Sequence, residues 1–144
     1  MRDVFDTNVL ARAHQKAQGP ARRVLLHVVS GAHILVISVD MLRELERVLS
    51  YPRLLKRSGL TSDAIAEYLE KLAAVSCLVA PQDVPAKLLG DPTDAAILGT
   101  ALAGNADVLC TRDADLLEEK VQEFCAARGL QVLTDLEFID MFHI

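Results

Sequence analysis

The sequence predicts an α/β fold on a parallel sheet covered on both faces, and three observations predict it. Short apolar runs alternate with longer helical patterns along all 144 residues. Those runs are rich in Val, Ile and Leu without polar alternation, as strands buried on both sides are. The composition, 51% hydrophobic and 24% charged with no low-complexity or Pro/Gly-rich linker, suits a chain with one sizeable core. Residues 1–144 therefore read as a single domain without internal repeats or a second unit.

The elements follow in order. Asp3-Val-Phe-Asp6 is a short apolar strand that stops at Thr7-Asn8. A helix begins near Gly19-Pro20, where proline suits a first turn, and runs to about Val29. Ile34-Leu-Val-Ile37 is the second strand, and Ser38 caps a helix carrying Met41, Leu42, Leu45, Val48 and Leu49 as its core-facing stripe. Pro52 ends that helix and a polar hinge follows. Thr61 caps a helix through about Ala74, and residues 76–80 form the third strand. Residues 93–103 are rich in Ala, Leu and Ile with no breaker before Gly104, so they read as a well-buried helix. Residues 108–110 are the fourth strand and residues 130–133 the fifth, after Gly129 closes the helix at 121–128. Thr134 caps a last helix over 135–142.

Charge and cysteines narrow the function classes. A net charge of −5 argues against simple electrostatic attachment to nucleic acid, but not against nucleic acid at a site neutralised by metal ions. The charge is unevenly spread: Arg43, Arg47, Arg53, Lys56 and Arg57 concentrate positive charge, while acids dominate from Glu118 onward. Cys77, Cys110 and Cys125 are widely spaced, without zinc or disulfide spacing, and Cys77 and Cys110 lie in apolar segments as small hydrophobes. A reducing cytoplasm is the simplest location. No apolar run spans a bilayer and no basic-then-apolar leader opens the chain, so a membrane is not expected.

The stretch from Gly90 to Leu117 holds two acidic clusters, Asp91/Asp94 and Asp113/Asp115, separated by one helix and one strand. Sites in open parallel sheets form beyond the carboxyl ends of the strands, where strand order reverses. Asp6 ends the first strand, Glu44 lies about one and a half turns into the helix after the second, Asp94 opens the helix leading into the fourth, and Asp113 follows that strand at Thr111. With the first and fourth strands as neighbours, the four carboxylates converge. Like charges so placed raise one another's pKa values and need a counter-charge. No Lys or His stands in an equivalent position, so a hard divalent cation is the natural candidate. Oxygen-only ligands favour Mg²⁺ or Mn²⁺ over Zn²⁺.

Each acid also has a local explanation. Asp91-Pro92-Thr93-Asp94 is a good capping box, and capping alone accounts for Asp91. Asp113 can cap a short helix through Leu117 with Asp115 as a first-turn charge, and Asp6 can cap a helix starting at Asn8. Glu44 and Glu46 flank the apolar stripe at similar angles, so periodicity does not choose between them.

Taken together, these residues resemble a known family. Asp6-Thr7-Asn8 after an N-terminal strand looks like the opening motif of PIN-domain nucleases. Ser38-x5-Glu44-Leu45-x2-Val48-Leu49 resembles their second motif, which selects Glu44 over Glu46. Asp91-Pro-Thr-Asp94-x3-Leu98-x2-Ala101, then Ala106-Asp107-x3-Thr111-Arg-Asp113-x-Asp115-Leu116-Leu117, is similar to their third and fourth. The likeness covers essentially the whole chain and is nearest to the single-domain prokaryotic PIN toxins of toxin–antitoxin pairs, the VapC-like group.

That resemblance implies a three-layer α/β/α fold with five parallel strands in the order 3-2-1-4-5. It implies an acidic quartet, Asp6, Glu44, Asp94 and Asp113, around one or two Mg²⁺ or Mn²⁺ ions, and hydrolysis of RNA by water that the metal activates. Asp91 and Asp115 are auxiliary, outside the inner shell. Asn8 and Thr111 are expected to hydrogen-bond ligand carboxylates or phosphate, beside ordinary roles in a turn and at a strand end. Arg112 departs from the pattern, standing where many of this subgroup carry Gly, and is expected to alter how RNA approaches. Arg53, Lys56 and Arg57, near the tip joining two helices, are the expected RNA contacts, with a solvated helix end as the alternative. Tyr51 is expected to pack in the core rather than stack on a base. His14, His27, His33 and His143 have neither ligand spacing nor a paired carboxylate in the sequence. The apolar surfaces of the first helices suit a homodimer or an antitoxin.

Two other classes compete. A receiver domain also gathers acids at strand ends but needs a Lys at the end of its last strand, where Leu133-Thr134 stands. A PIN-fold RNA- or protein-binding module without turnover is the stronger rival, and it has no reason to keep all four acids.

Overall fold

The computed structural model describes residues 1–144. Five strands, β1 (Arg2–Phe5), β2 (Ile34–Ile37), β3 (Ser76–Leu78), β4 (Val108–Cys110) and β5 (Gln131–Leu133), form one parallel sheet in the order β3-β2-β1-β4-β5. The helices are α1 (Thr7–Leu10), α2 (Pro20–His27), α3 (Val39–Leu49), α4 (Pro52–Ser58), α5 (Ser62–Val75), α6 (Pro92–Ala103), α7 (Glu119–Ala126) and α8 (Asp135–Phe142). The chain is therefore α/β with the strand order expected, and no helix is long and apolar enough to cross a membrane.

Alternate residues of the central strands meet different helices, which makes three layers. Phe5 packs edge-on against Phe138 of α8, with ring centroids 5.8 Å apart. Val36, which points to the other side of β2 from Leu35 and Ile37, meets the end of α6, where a Cβ on Gly104 would come within 2.4 Å of its Cγ1. Both faces being covered, Val4, Phe5, Leu35, Val36, Val108 and Leu109 are all buried, so these strands carry no polar alternation.

The structure corrects several local expectations. Residues 52–58 are not a polar hinge but helix α4. Pro52 ends α3 and opens α4 at its first turn, where the missing N–H costs nothing, and Gly59 closes it at φ 70°. Helix α2 ends at His27 rather than Val29, because the chain enters a wide turn over Val28–Ala32 around Gly31 at φ 106°. Strand β3 ends at Leu78 rather than at residue 80 and is half exposed, as an edge strand can be. Tyr51 lies on the surface, 43% exposed, with Arg47 over its ring, and is not a core residue.

His33 does have a carboxylate partner. Its Nδ1 lies 2.5 Å from Oδ2 of the fully buried Asp3, under the rings of Phe138 and Phe142. Burial raises the Asp3 pKa and the His33 contact opposes that rise. Thirty residues separate the pair in sequence, so only the β1–β2 pairing reveals it.

Candidate active site

In register, Phe5 pairs with Cys110, which places the next residues of each strand, Asp6 and Thr111, side by side at the carboxyl edge of the sheet. Strand order reverses there, since β1 is followed outward by β2 on one side and β4 on the other. Thr111 Oγ1 donates to Asp6 Oδ2 at 2.6 Å, and Thr7 Oγ1 donates to Oδ1 at 3.3 Å. The Asp113 amide donates back to Thr111 Oγ1 at 2.9 Å, so one buried hydroxyl ties the two acids together. Asp113 Oδ1 accepts the Asp115 amide at 2.9 Å, which fixes the turn that follows. That turn is not the helix through Leu117 that Asp113 was expected to cap. Asp6 precedes α1, but its carboxylate makes no cap bond there, both oxygens being taken by the two threonines.

The third acid arrives on α6. Asp91 caps this helix, its Oδ1 accepting the Thr93 amide at 2.8 Å, with Pro92 in the first turn. The expected capping box is only half formed: Asp94 does not return a bond to Asp91 but turns into the site. Carboxylate oxygens of Asp94, Asp113 and Asp115 lie within 4.8 Å of one another. Asp94 is buried and its Oδ2 has no hydrogen-bond partner. Its pKa is pushed up to about 7 by burial first, then by Asp113, Asp91 and Asp6. Burial also raises the Asp6 pKa, with the Thr111 hydroxyl opposing and the Asp113 charge adding to it. Asp115, expected as an auxiliary acid, lies in this group on its exposed side, while Asp91 stays exposed at the helix cap.

Glu44 sits apart from that group. Ser38 caps α3, its Oγ accepting the Met41 amide at 3.3 Å, and Thr100 of α6 lies 2.9 Å from the same hydroxyl. This lays α3 beside α6 and leaves a cleft lined by Thr7, Asp40, Glu44, Pro92 and Thr93 among others. Glu46 does not line it and is exposed. Both Glu44 oxygens accept from Arg47, at 2.5 and 3.0 Å. Arg47 is thus a counter-charge that a search for Lys and His does not find, and its i+3 spacing on a helix is the signal that could have found it.

The remaining candidates divide. Asn8 Oδ1 faces the Arg112 amide at 3.5 Å, beside the cluster. The Arg112 side chain turns to the buried Asp135, Nε donating to Oδ1 at 2.7 Å, a partner the sequence reading missed. Arg53, Lys56 and Arg57 are exposed on α4 and do not reach the acids.

Chemically, the cluster offers only oxygen donors, one of them a buried oxygen without a proton donor to satisfy it. A hard divalent cation fits such a set, and Asp6, Asp94, Asp113 and Asp115 are the residues that could hold it.

A family model described as the PIN domain matches residues 2–115. No curated protein sequence matches the chain. Among solved structures, the crystal structure of VapBC2 from Rickettsia felis, bound to a DNA fragment from their promoter, is similar with a TM-score of 0.58 at 16% identity, covering 93% of this chain and 98% of that one. The structure of VapBC-1 from nontypeable Haemophilus influenzae gives 0.57 at 20% identity over 94% and 99% of the two chains. FitAcB from Neisseria gonorrhoeae gives 0.57 at 17% identity over 93% and 98%. At these identities the likeness is one of fold. With the family match spanning most of the chain, from β1 to the Asp113 turn, the protein belongs to the PIN-domain family.

Proposed function

We propose that this PIN domain is a metal-dependent endoribonuclease and the toxin of a toxin–antitoxin pair. One observation carries the nuclease reading: Asp94, Asp113 and Asp115 are gathered within 4.8 Å, with an unpartnered buried oxygen, next to a buried Asp6. Like charges this close raise one another's pKa values, and a divalent cation offsets their repulsion. The toxin reading draws on the VapBC neighbours, with an antitoxin protein as partner and the cytoplasm as the place of action. The whole chain, 1–144, acts as one domain in this reading.

Asp6, Asp94 and Asp113 would hold a Mg²⁺ or Mn²⁺ ion, with Asp115 and, from the neighbouring cleft, Glu44 as the further acids of the site. When bound, the ion makes water easier to ionise and neutralises charge on the phosphate. The protein supplies orientation: Thr111 keeps Asp6 and Asp113 in fixed relation, and Asp91 anchors the helix turn that presents Asp94. Asp94 must give up its proton before it can bind a cation. Hydrolysis leaves a 5′-phosphate and a 3′-hydroxyl, and no side chain acts as nucleophile.

One observation favours a second reading, a binding module without turnover: Arg47 engages both oxygens of Glu44. The two readings part in one experiment. Purified protein and an Asp6→Asn variant are incubated with structured and single-stranded RNAs in Mn²⁺, Mg²⁺ or EDTA. Cleavage that needs the metal and is lost in the variant is the expected result. No cleavage, together with no metal-induced shift in melting temperature, would select the binding module.

A further inference from the structure

Helix α8 begins beside the acidic cluster, and its first residue, Asp135, is fully buried. Its Oδ1 accepts from the Leu136 amide at 3.0 Å and from Arg112 Nε at 2.7 Å. Its Oδ2 makes no hydrogen bond, but Arg12 Nη1 stands 3.8 Å away. A buried carboxylate needs a counter-charge, and one arginine already balances its single negative charge. Here two guanidiniums face one carboxylate, leaving an excess of positive charge on their outer sides. Both remain accessible, Arg12 at 43% and Arg112 at 41% of the side chain.

The pair is anchored from the site itself. Arg112 precedes Asp113, and its amide faces Asn8 Oδ1. Arg12 donates through Nε to the Asn8 carbonyl at 2.9 Å. With the Nε groups fixed inward, the terminal Nη donors of both residues are directed by the fold rather than by solvent, and guanidiniums so held suit phosphate oxygens. Arg12 also borders a cavity of about 530 Å³ whose charged lining is Arg12, Lys16 and Arg57, with no acid, in a protein of net charge −5.

We propose that Arg12 and Arg112, held by the buried carboxylate of Asp135, form a phosphate subsite that seats a single-stranded RNA next to the acidic cluster. The strand continues past Lys16 and Arg57. Asp135 is a positioning residue, since it would act on the strand only through the arginines that it holds. This inference rests on the ribonuclease reading for its choice of ligand.

The test is equilibrium binding of a labelled single-stranded RNA to the full chain in EDTA, across a series of salt concentrations. Arg12→Ala and Arg112→Ala should each flatten the slope of log affinity against log salt by about 0.7, one single-strand phosphate contact. Asp135→Asn retains both cations and makes the protein one charge less negative. Simple electrostatics then expects tighter binding, whereas loss of positioning expects weaker binding at an unchanged fold, read from the circular dichroism spectrum. Lys87→Ala, another exposed cation, is the control and should leave the slope near wild type.

Slopes unchanged in both arginine variants, or no RNA binding by the wild type, would overturn the subsite and leave the two arginines as a brace for α8. Binding needs no metal and cleavage does, so the two readings fail separately. Flattened slopes without cleavage in any metal keep the subsite and remove the nuclease. Metal-dependent cleavage with unchanged slopes does the reverse.

Discussion

Asp94 is under two opposing demands. It is buried with one oxygen unpartnered, and it faces Asp113, which makes its ionised form costly in the absence of a cation. Its pKa rises from the ordinary 3.8 to about 7, so between those values the folded state holds a proton that the unfolded chain has lost. The contribution of Asp94 to the stability of the metal-free protein therefore falls as pH rises from about 4 to about 7, with no further change above that. Asp6 and Asp3 are raised too, and their effects run in the same direction. Asp94→Asn, which removes the charge but keeps the shape, should raise the melting temperature in EDTA at about pH 8 and flatten its pH dependence relative to wild type. Equal pH dependence in the two proteins would mean that Asp94 is ionised without cost. The positions of Asp6, Asp94 and Asp113 were legible, because each follows a strand end or opens a helix, whereas Glu44 was chosen over Glu46 only by the family resemblance. Their partners were not. Arg112 with Asp135 and His33 with Asp3 lie 23 and 30 residues apart, and only the folded sheet brings them together.

At the scale of elements, legibility followed burial. Helix α6 was readable because Ile97, Leu98 and Ala101 fill an apolar segment whose cap and stop, Asp91 and Gly104, are explicit. Helix α4 was not, since it buries no residue fully and its proline belongs to two elements at once. Nor did the sequence reveal why Gly99 lies within α6. The connection from β3 crosses the helix there: the Gln82 amide donates to the Gly99 carbonyl at 3.2 Å. A Cβ at position 99 would stand 2.2 Å from the Gln82 carbonyl oxygen, which is backbone and cannot turn aside. Gly99→Ala should therefore destabilise the protein by about 1–3 kcal/mol, although alanine is the better helix former. Gly90→Ala is the control, as open space surrounds that position. Urea unfolding of the two variants checks this, and equal midpoints would show that the connection does not rest on α6.

The whole molecule carries a net charge of −5, and a close group of its acids sits at one edge of the sheet. The β1–β4 pairing brings Asp6 and the Asp113 turn together at that edge, and α6 delivers the buried Asp94 against them. Their repulsion is built into the folded state and absent from the unfolded chain. A divalent cation that binds only the folded site then stabilises by mass action, about 2.7 kcal/mol at a hundred times its dissociation constant. The rise in melting temperature with Mg²⁺ or Mn²⁺ should saturate, since the sites are few, whereas NaCl at equal ionic strength acts only by diffuse screening. Proton and cation compete for Asp94, so the same concentration of Mg²⁺ should give a larger shift at about pH 8 than at about pH 6. Calorimetry at the two pH values separates this from a general salt effect, which would be alike at both. A shift that grows without saturation, or is the same in Asp94→Asn, would place the cation elsewhere on the surface and leave the acidic edge as an unneutralised strain in the fold.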